Sequence, residues 1–250
     1  MPDKITKAIV VGASSGIGAA IGERLVTQGA QVALLARREE ELYALCNRIN
    51  EHRGEDLALP VVHDVRERKT IPGLFQDITT RLGGLDAIFF TAGVMPHVEP
   101  DEYSTDKDAL MIEVNTIGAM AWFNEASKRF ERLNKGRIVG ISSIAGDRGR
   151  RRNPAYSTSK AAMNTYLESL RNRLGVKGVS VTTIKPGFVD TAMTKGMSGL
   201  LWMISPEKAA GKIVRAAEKK KNTAYVPGQW RLVGTIIRSI PSFLFKRLNI

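Results

Sequence analysis

Tyr156 and Lys160 stand four residues apart in Tyr156-Ser157-Thr158-Ser159-Lys160. On a helix that spacing puts a phenol and an ammonium on one face. A free tyrosine titrates at about 10 and is a poor proton shuttle at neutral pH. A neighbouring cation favours the phenolate and lowers that value. A phenol tuned in this way can protonate a developing alkoxide, or deprotonate an alcohol in reverse. By itself the pair reads more readily as a surface helix contact, so its surroundings matter. Thirteen residues upstream, Ser143 lies in Ile141-Ser142-Ser143-Ile144-Ala145-Gly146, at the end of the apolar run Arg137-Ile138-Val139-Gly140. A hydroxyl at the C-terminal end of a parallel strand sits where open α/β sheets bind ligands. Asn115, in Glu113-Val114-Asn115-Thr116-Ile117-Gly118, falls within a helical stretch. Its low helix propensity reads there as a surface position.

A second group of residues suits a dinucleotide. Gly12-Ala13-Ser14-Ser15-Gly16-Ile17-Gly18 follows the first apolar run. Its glycines let the chain turn sharply and let a pyrophosphate approach a helix N-terminus. The spacing is Gly-x-x-x-Gly-x-Gly, which differs from the commoner dinucleotide fingerprint. After the second apolar run, where NAD-selective sites place a carboxylate on the ribose 2′-hydroxyl, the chain has Leu35-Ala36-Arg37-Arg38. A guanidinium grips a 2′-phosphate bidentately and stacks on adenine. The expectation is therefore NADP(H) in preference to NAD(H). Asp64-Val65, after the third run, could hold the adenine edge through a carboxylate and a backbone amide.

The elements that must position these groups are legible as short β-branched runs at 6–11, 31–36, 57–63, 86–91, 137–142, 179–184 and 223–226. Amphipathic segments lie between them near 16–28, 38–52, 67–82, 105–132, 155–174 and 206–220. Strands alternating with helices indicate βαβ units and a parallel sheet covered on both faces. Right-handed crossovers then give a doubly wound, Rossmann-like α/β fold of about seven strands. There is no internal repeat, low-complexity tract or linker. Residues 1–229 read as a single dinucleotide-binding catalytic domain, and 230–250 as an amphipathic basic tail of the same domain.

With these motifs in order along the chain, the sequence resembles the short-chain dehydrogenase/reductase family over roughly residues 5–226. The glycine-rich turn fits Gly12, Gly16 and Gly18, and the family's Asn-Ser-Tyr-Lys tetrad falls on Asn115, Ser143, Tyr156 and Lys160. The family's Pro-Gly motif fits Pro186-Gly187-Phe188-Val189-Asp190-Thr191. The resemblance implies an oxidoreductase in which Tyr156 is the general acid/base. Lys160 lowers its pKa and holds the nicotinamide ribose, Ser143 orients the carbonyl oxygen, and Asn115 anchors a water in a proton relay. It implies cofactor contacts from Ser14, Ser15, Ile17, Ala92, Gly93, Pro186, Gly187, Val189 and Thr191. It also implies a homo-dimer or homo-tetramer. One motif departs: the usual Asn-Ala-Gly after the fourth strand is Thr91-Ala92-Gly93. Its role in the family is to steady the central strands, and a threonine retains one hydroxyl donor for that task.

Composition bounds the rest. The 250 residues contain one cysteine, Cys46, so no intrachain disulfide is possible and a reducing, cytoplasmic location is expected. Neither a signal peptide nor the roughly 18 uncharged apolar residues of a spanning helix is visible. His52, His63 and His97 lack ligand spacing, and no metal is expected. The net charge of +12 is uneven: residues 1–125 hold 12 Lys/Arg against 19 Asp/Glu, and residues 126–250 hold 25 against 6. That asymmetry suggests an anionic partner for the second half. Arg148, Arg150, Arg151 and Arg152 lie just before the tyrosine. Met193–Met203 reads as an adaptable apolar lid. The tail from Trp230 to Leu248 mixes apolar residues with Arg and Lys, as interfacial helices do; it reads equally as a cover over the active site or a subunit contact. The Asp147-Arg148-Gly149-Arg150 segment and tail resemble a bacterial subgroup that includes keto-reductases of polyprenylphosphoryl pentoses. This implies a lipid-linked or other anionic carbonyl/alcohol substrate and peripheral contact with an anionic membrane, at its inner surface. The rival reading is an NADP-sensing or nucleic-acid/membrane-binding protein on the same fold. Nucleic acid is disfavoured, because no aromatic-rich basic stripe or reading motif is present.

Overall fold

The computed structural model describes residues 4–99, 101–197 and 199–248. Seven β-branched runs form strands: β1 (Lys7–Val11), β2 (Gln31–Ala36), β3 (Ala58–Val62), β4 (Ala87–Phe90), β5 (Gly136–Ile141), β6 (Val179–Pro186) and β7 (Thr223–Val226). All pair in parallel, in the order β3-β2-β1-β4-β5-β6-β7. The chain reverses direction between β1 and β4, the switch point at which open α/β sheets bind ligands beyond their carboxyl ends. Every residue of β4 and β5 is buried, as a strand covered on both faces requires.

The helices are α1 (Gly16–Thr27), α2 (Glu39–Arg53), α3 (Ile71–Arg81), α4 (Thr105–Ile112), α5 (Gly118–Leu133), α6 (Pro154–Leu174), α7 (Pro206–Glu218), α8 (Trp230–Ser239) and α9 (Ser242–Phe245). Alternate strand residues feed two cores. One packs Val10, Val32 and Leu34 under α1, α2 and α7; the other packs Ile9, Val11 and Ile88 under α3, α5 and α6.

That division overturns one expectation. The crossovers β1-α1-β2 and β6-α7-β7 run in opposite directions across the sheet yet place their helices on the same face. They are therefore of opposite hand, and the last crossover breaks the usual right-handed rule. The physical reason is the connection from Gly187 to Ser205, long enough to pass over the carboxyl edge before α7 starts. There α7 finds α1, where its Ala209, Ala210 and Ile213 join the core of Ile21 and Leu25.

One further boundary differs from expectation. The segment 105–132 is not one α-helix, because a π turn at Glu113–Ile117 separates α4 from α5. In the tail, for which the sequence set no helix bounds, Pro241, which lacks an amide proton, separates α8 from α9. Tail residues 249–250 and the lid residue Ser198 lie outside the described residues.

Candidate active site

A cavity of about 400 Å³ runs along the carboxyl edge of the sheet, from Arg37 and Arg38 to Ser143, Tyr156 and Lys160. Its floor is the turn after β1. Gly12 has φ +92°, and a Cβ there would lie 2.4 Å from the Ala92 nitrogen. A Cβ on Gly18 would lie 2.1 Å from the Gly12 oxygen. Only bare backbone fits at both positions. Thr91 supplies the tie expected of it: its hydroxyl lies 2.8 Å from the carbonyls of both Val11 and Gly12.

The N-terminus of α1 opens onto this floor, and Ser15, its N-cap residue, makes no side-chain capping bond. The first amides of α1 thus lack a side-chain acceptor and suit an anion. The Ser15 hydroxyl accepts instead from Arg38, 2.8 Å away, and Arg38 also reaches Ser14 at 2.8 Å. Arg37, half-exposed, lies 3.9 Å from Asp64. Asp64 is set back from the cavity wall, which His63 and Val65 form. Its carboxylate is held by Arg66 at 2.7 Å, and that bond keeps its pKa below the ordinary carboxylate value.

At the other end, three elements converge. Ser143, just past β5, caps a short 3-10 turn (Ile144–Asp147) by accepting from the Ala145 amide at 3.1 Å. Asn164 of α6 donates to the Gly146 carbonyl at 3.0 Å, tying that turn to the helix. Asn153 has φ +51° and caps α6, its side chain accepting from the Tyr156 amide at 3.2 Å. Lys160 is buried; its ammonium donates to the Ile141 carbonyl at 3.0 Å and lies 5.7 Å from the Tyr156 ring centre. Asn115 is fully buried at the π turn, against the surface position expected of it. π turns of this kind recur at functional sites. Here the side chain accepts from the Val94 amide at 2.7 Å and donates to the Val94 carbonyl at 3.0 Å. It also meets the Ser159 hydroxyl at 3.1 Å. Asn115 thereby joins the segment beyond β4 to α6, and it does not itself line the cavity.

The electrostatics differ from the simple expectation of a phenol softened by lysine. Burial pushes the Tyr156 phenol above its ordinary value. The groups that pull it back are the hydrogen-bonded Ser143 hydroxyl and the Arg150 charge. Burial also lowers the Lys160 ammonium to about 8, which weakens the cation the phenol would feel. Arg150 is half-buried, its Nε lacks a hydrogen-bond partner, and its own pKa is depressed by burial.

Of the residues singled out from sequence, the structure gathers every cofactor candidate except Asp64 on the cavity wall. Pro186, Gly187, Val189 and Thr191 form the wall beyond β6. The sequence reading passes over Asn153; it puts Arg150 in a basic run and Met193 in a lid without pairing either with the phenol, yet the Met193 sulfur lies 4.0 Å from the phenolic oxygen. Only Asn153 carried a signal, Asn-Pro at a helix start.

Comparison with known proteins decides the family. Residues 6–199 match the profile of the family described as short chain dehydrogenase. The chain is a short-chain dehydrogenase/reductase. Among curated relatives, an uncharacterised oxidoreductase of Staphylococcus aureus (strain MW2) is 34% identical over 194 residues, covering 78% of this chain and 81% of that protein. An uncharacterised oxidoreductase of Mycobacterium tuberculosis (strain H37Rv) is 28% identical over 96% of both chains. Two solved structures share the fold. One is a short-chain type dehydrogenase/reductase from Mycobacterium ulcerans, with a TM-score of 0.78 at 21% identity, over 88% of this chain and 87% of that one. The other is a 3-oxoacyl-[acyl-carrier protein] reductase from Brucella melitensis, with a TM-score of 0.78 at 21% identity, over 88% and 89%. Short-chain dehydrogenase/reductases use a nicotinamide cofactor, act on small molecules and commonly form oligomers. Among the described residues no helix is long and apolar enough to cross a membrane.

Proposed function

We propose that this oxidoreductase works with NADP(H), interconverting a carbonyl compound and a secondary alcohol. The observation carrying the proposal is one continuous cleft with a guanidinium pair at one end and Ser143, Tyr156 and Lys160 at the other. Its bare-backbone floor and uncapped α1 suit a pyrophosphate. Arg38, already oriented by the Ser14 and Ser15 hydroxyls, and Arg37 suit a 2′-phosphate. Gly93, Val189 and Thr191 would hold the nicotinamide end. A nicotinamide bound there supplies or accepts the hydride.

The chain's own residues handle the proton. The half-buried Tyr156 phenol, held above its ordinary pKa, stays protonated at neutral pH and donates to the oxygen of a carbonyl undergoing reduction. Ser143 donates to the same oxygen and orients it. Lys160, anchored on Ile141, holds the ribose side of the cleft and supplies positive charge beside the developing phenolate. Asn115 fixes the backbone at Val94, and through it the wall opposite Tyr156. A water on Asn115 would complete a relay to Lys160.

The arginines at 148–152 and the apolar lid favour an anionic or lipid-linked substrate. In this reading the enzyme works in the cytoplasm, at the inner membrane surface, and, as its family commonly does, as a dimer or tetramer. NADPH oxidation against a carbonyl panel tests the reading. Tyr156→Phe should lower turnover by about 10²–10⁴-fold while NADPH still binds. Arg37→Ala/Arg38→Ala should weaken NADPH about 10- to 100-fold, the loss of charge-assisted hydrogen bonds, and leave NADH little changed. Unchanged turnover without the phenol would refute the mechanism.

A further inference from the structure

Exposed apolar residues are not scattered over this protein. Among the described residues, 15 large apolar side chains are strongly exposed; five lie in 193–203 and five in 232–248. The lid contributes Leu201 (61% exposed) and Trp202 (47%), the tail Leu232 (67%), Ile236 (54%) and Phe243 (61%). Leu232 and Ile236, four residues apart, share one face of α8, whereas Trp230 and Gly234 are buried on the other. Lid and tail meet where Trp202 packs edge-on against Trp230, ring centres 5.4 Å apart. The same lid carries Met193, beside the catalytic phenol. The apolar surface therefore begins at the mouth of the cleft and continues onto the tail.

Its charge is one-sided. Residues 191–206 and 227–248 contain no Asp or Glu, and they carry Lys195, Arg231, Arg238, Lys246 and Arg247. We propose that this lid-and-tail surface seats on an anionic lipid bilayer, so that a lipid-borne substrate reaches the cleft directly from the membrane. A second copy of the chain fits less well, because two such surfaces would oppose like charges, with exposed carboxylates only at the lid's flanks, Asp190 and Glu207. A nucleic acid would use the cations and leave Leu232, Ile236 and Phe243 in water. A bilayer interface takes both: apolar side chains enter the acyl boundary while Arg and Lys meet anionic headgroups. The delivery of substrate rests on the reductase reading; the seating does not.

Co-sedimentation with vesicles of phosphatidylcholine alone, or with about 30 mol% anionic phosphatidylglycerol, tests the inference. NADPH binding is measured on each preparation by tryptophan fluorescence. The full chain should pellet with the anionic vesicles only, and binding should weaken in about 0.5 M salt. Leu232→Glu/Ile236→Glu should lower vesicle affinity at least roughly tenfold. The milder Lys246→Gln/Arg247→Gln, at two exposed positions, should lower it roughly tenfold through charge alone. All variants should bind NADPH as the parent does. Failure of the full chain to pellet overturns the seating whatever the nucleotide result, whereas loss of NADPH binding in the parent strikes the reductase reading alone. Retained vesicle binding in both variants overturns it. So does conversion of a dimer to a monomer by Leu232→Glu/Ile236→Glu with vesicle binding intact, which would assign the surface to a second copy.

Discussion

Tyr156 and Lys160 illustrate two groups whose ordinary acidities are unsuited to neutral pH and which burial shifts in opposite ways. The phenol is pushed up and remains a proton donor. Carbonyl reduction should therefore be flat through neutral pH and fall in alkali, while alcohol oxidation, which needs the phenolate, should rise with pH. Because Arg150 pulls the phenol down, Arg150→Ala should move the alkaline limb of the reductive kcat/KM profile to higher pH; an unmoved limb would remove Arg150 from the site. Lys160, lowered to about 8 from an ordinary value of 10.5, has a stability consequence of definite sign. The folded state binds fewer protons than the unfolded state between those values, so stability rises with pH across that window. The cost of the buried ammonium is complete below pH 8. Lys160→Met should then abolish turnover yet raise stability at pH 7 by about 1–2 kcal/mol, after allowance for the lost bond to Ile141. The margin should shrink as pH climbs from 8 towards 10.5. Denaturant melts of both proteins at pH 7 and 10 measure it, and a variant less stable at pH 7 would contradict the argument.

The elements themselves were largely legible. Seven apolar β-branched runs became the seven strands within two residues, because a buried parallel strand must be apolar on both faces. Less legible was anything set by contacts remote in sequence. Asn115 looked like a surface residue because propensity describes an isolated helix, not one whose π turn aims an amide at the Val94 backbone. The opposite hand of the last crossover was hidden because it depends on how a long connection passes over the sheet edge. Arg148 belongs to the same class. Its guanidinium donates to the carbonyls of Ile237, at 2.7 Å, and Ile240, and stacks 3.9 Å over the Phe245 ring. It closes the C-terminal end of α8, where carbonyls lack intrahelical partners. Arg148→Ala should release 237–248 to proteolysis while the sheet stays protected, as limited digestion with mass spectrometry would reveal. Asn153→Ala removes the cap of α6 and should cost about 1 kcal/mol, with a drop in kcat as Tyr156 loses its fixed backbone.

Seen as a whole, the molecule divides its charge along the chain and its apolar exposure by place. The acidic first half builds the nucleotide side of the sheet, and the basic second half builds the lid and tail. The tail is not an appendage. A Cβ on Gly187 would lie 1.9 Å from the Trp230 indole nitrogen, and the indole packs against Phe188, ring centres 5.5 Å apart. Truncation before Trp230 should therefore strip the wall beyond β6 and lower the melting temperature, not merely shorten the chain. The segment after β6 serves two tenants: Thr191 lies against the Gly16 position, 3.1 Å from where a Cβ would stand, and Met193 reaches the phenol. A nucleotide and a substrate bound as proposed would both pass this segment, and the later to bind would cover the earlier. Steady-state kinetics should be compulsory-order with the dinucleotide leading. The oxidised dinucleotide should compete with the reduced one, while the alcohol product should inhibit without competing against it.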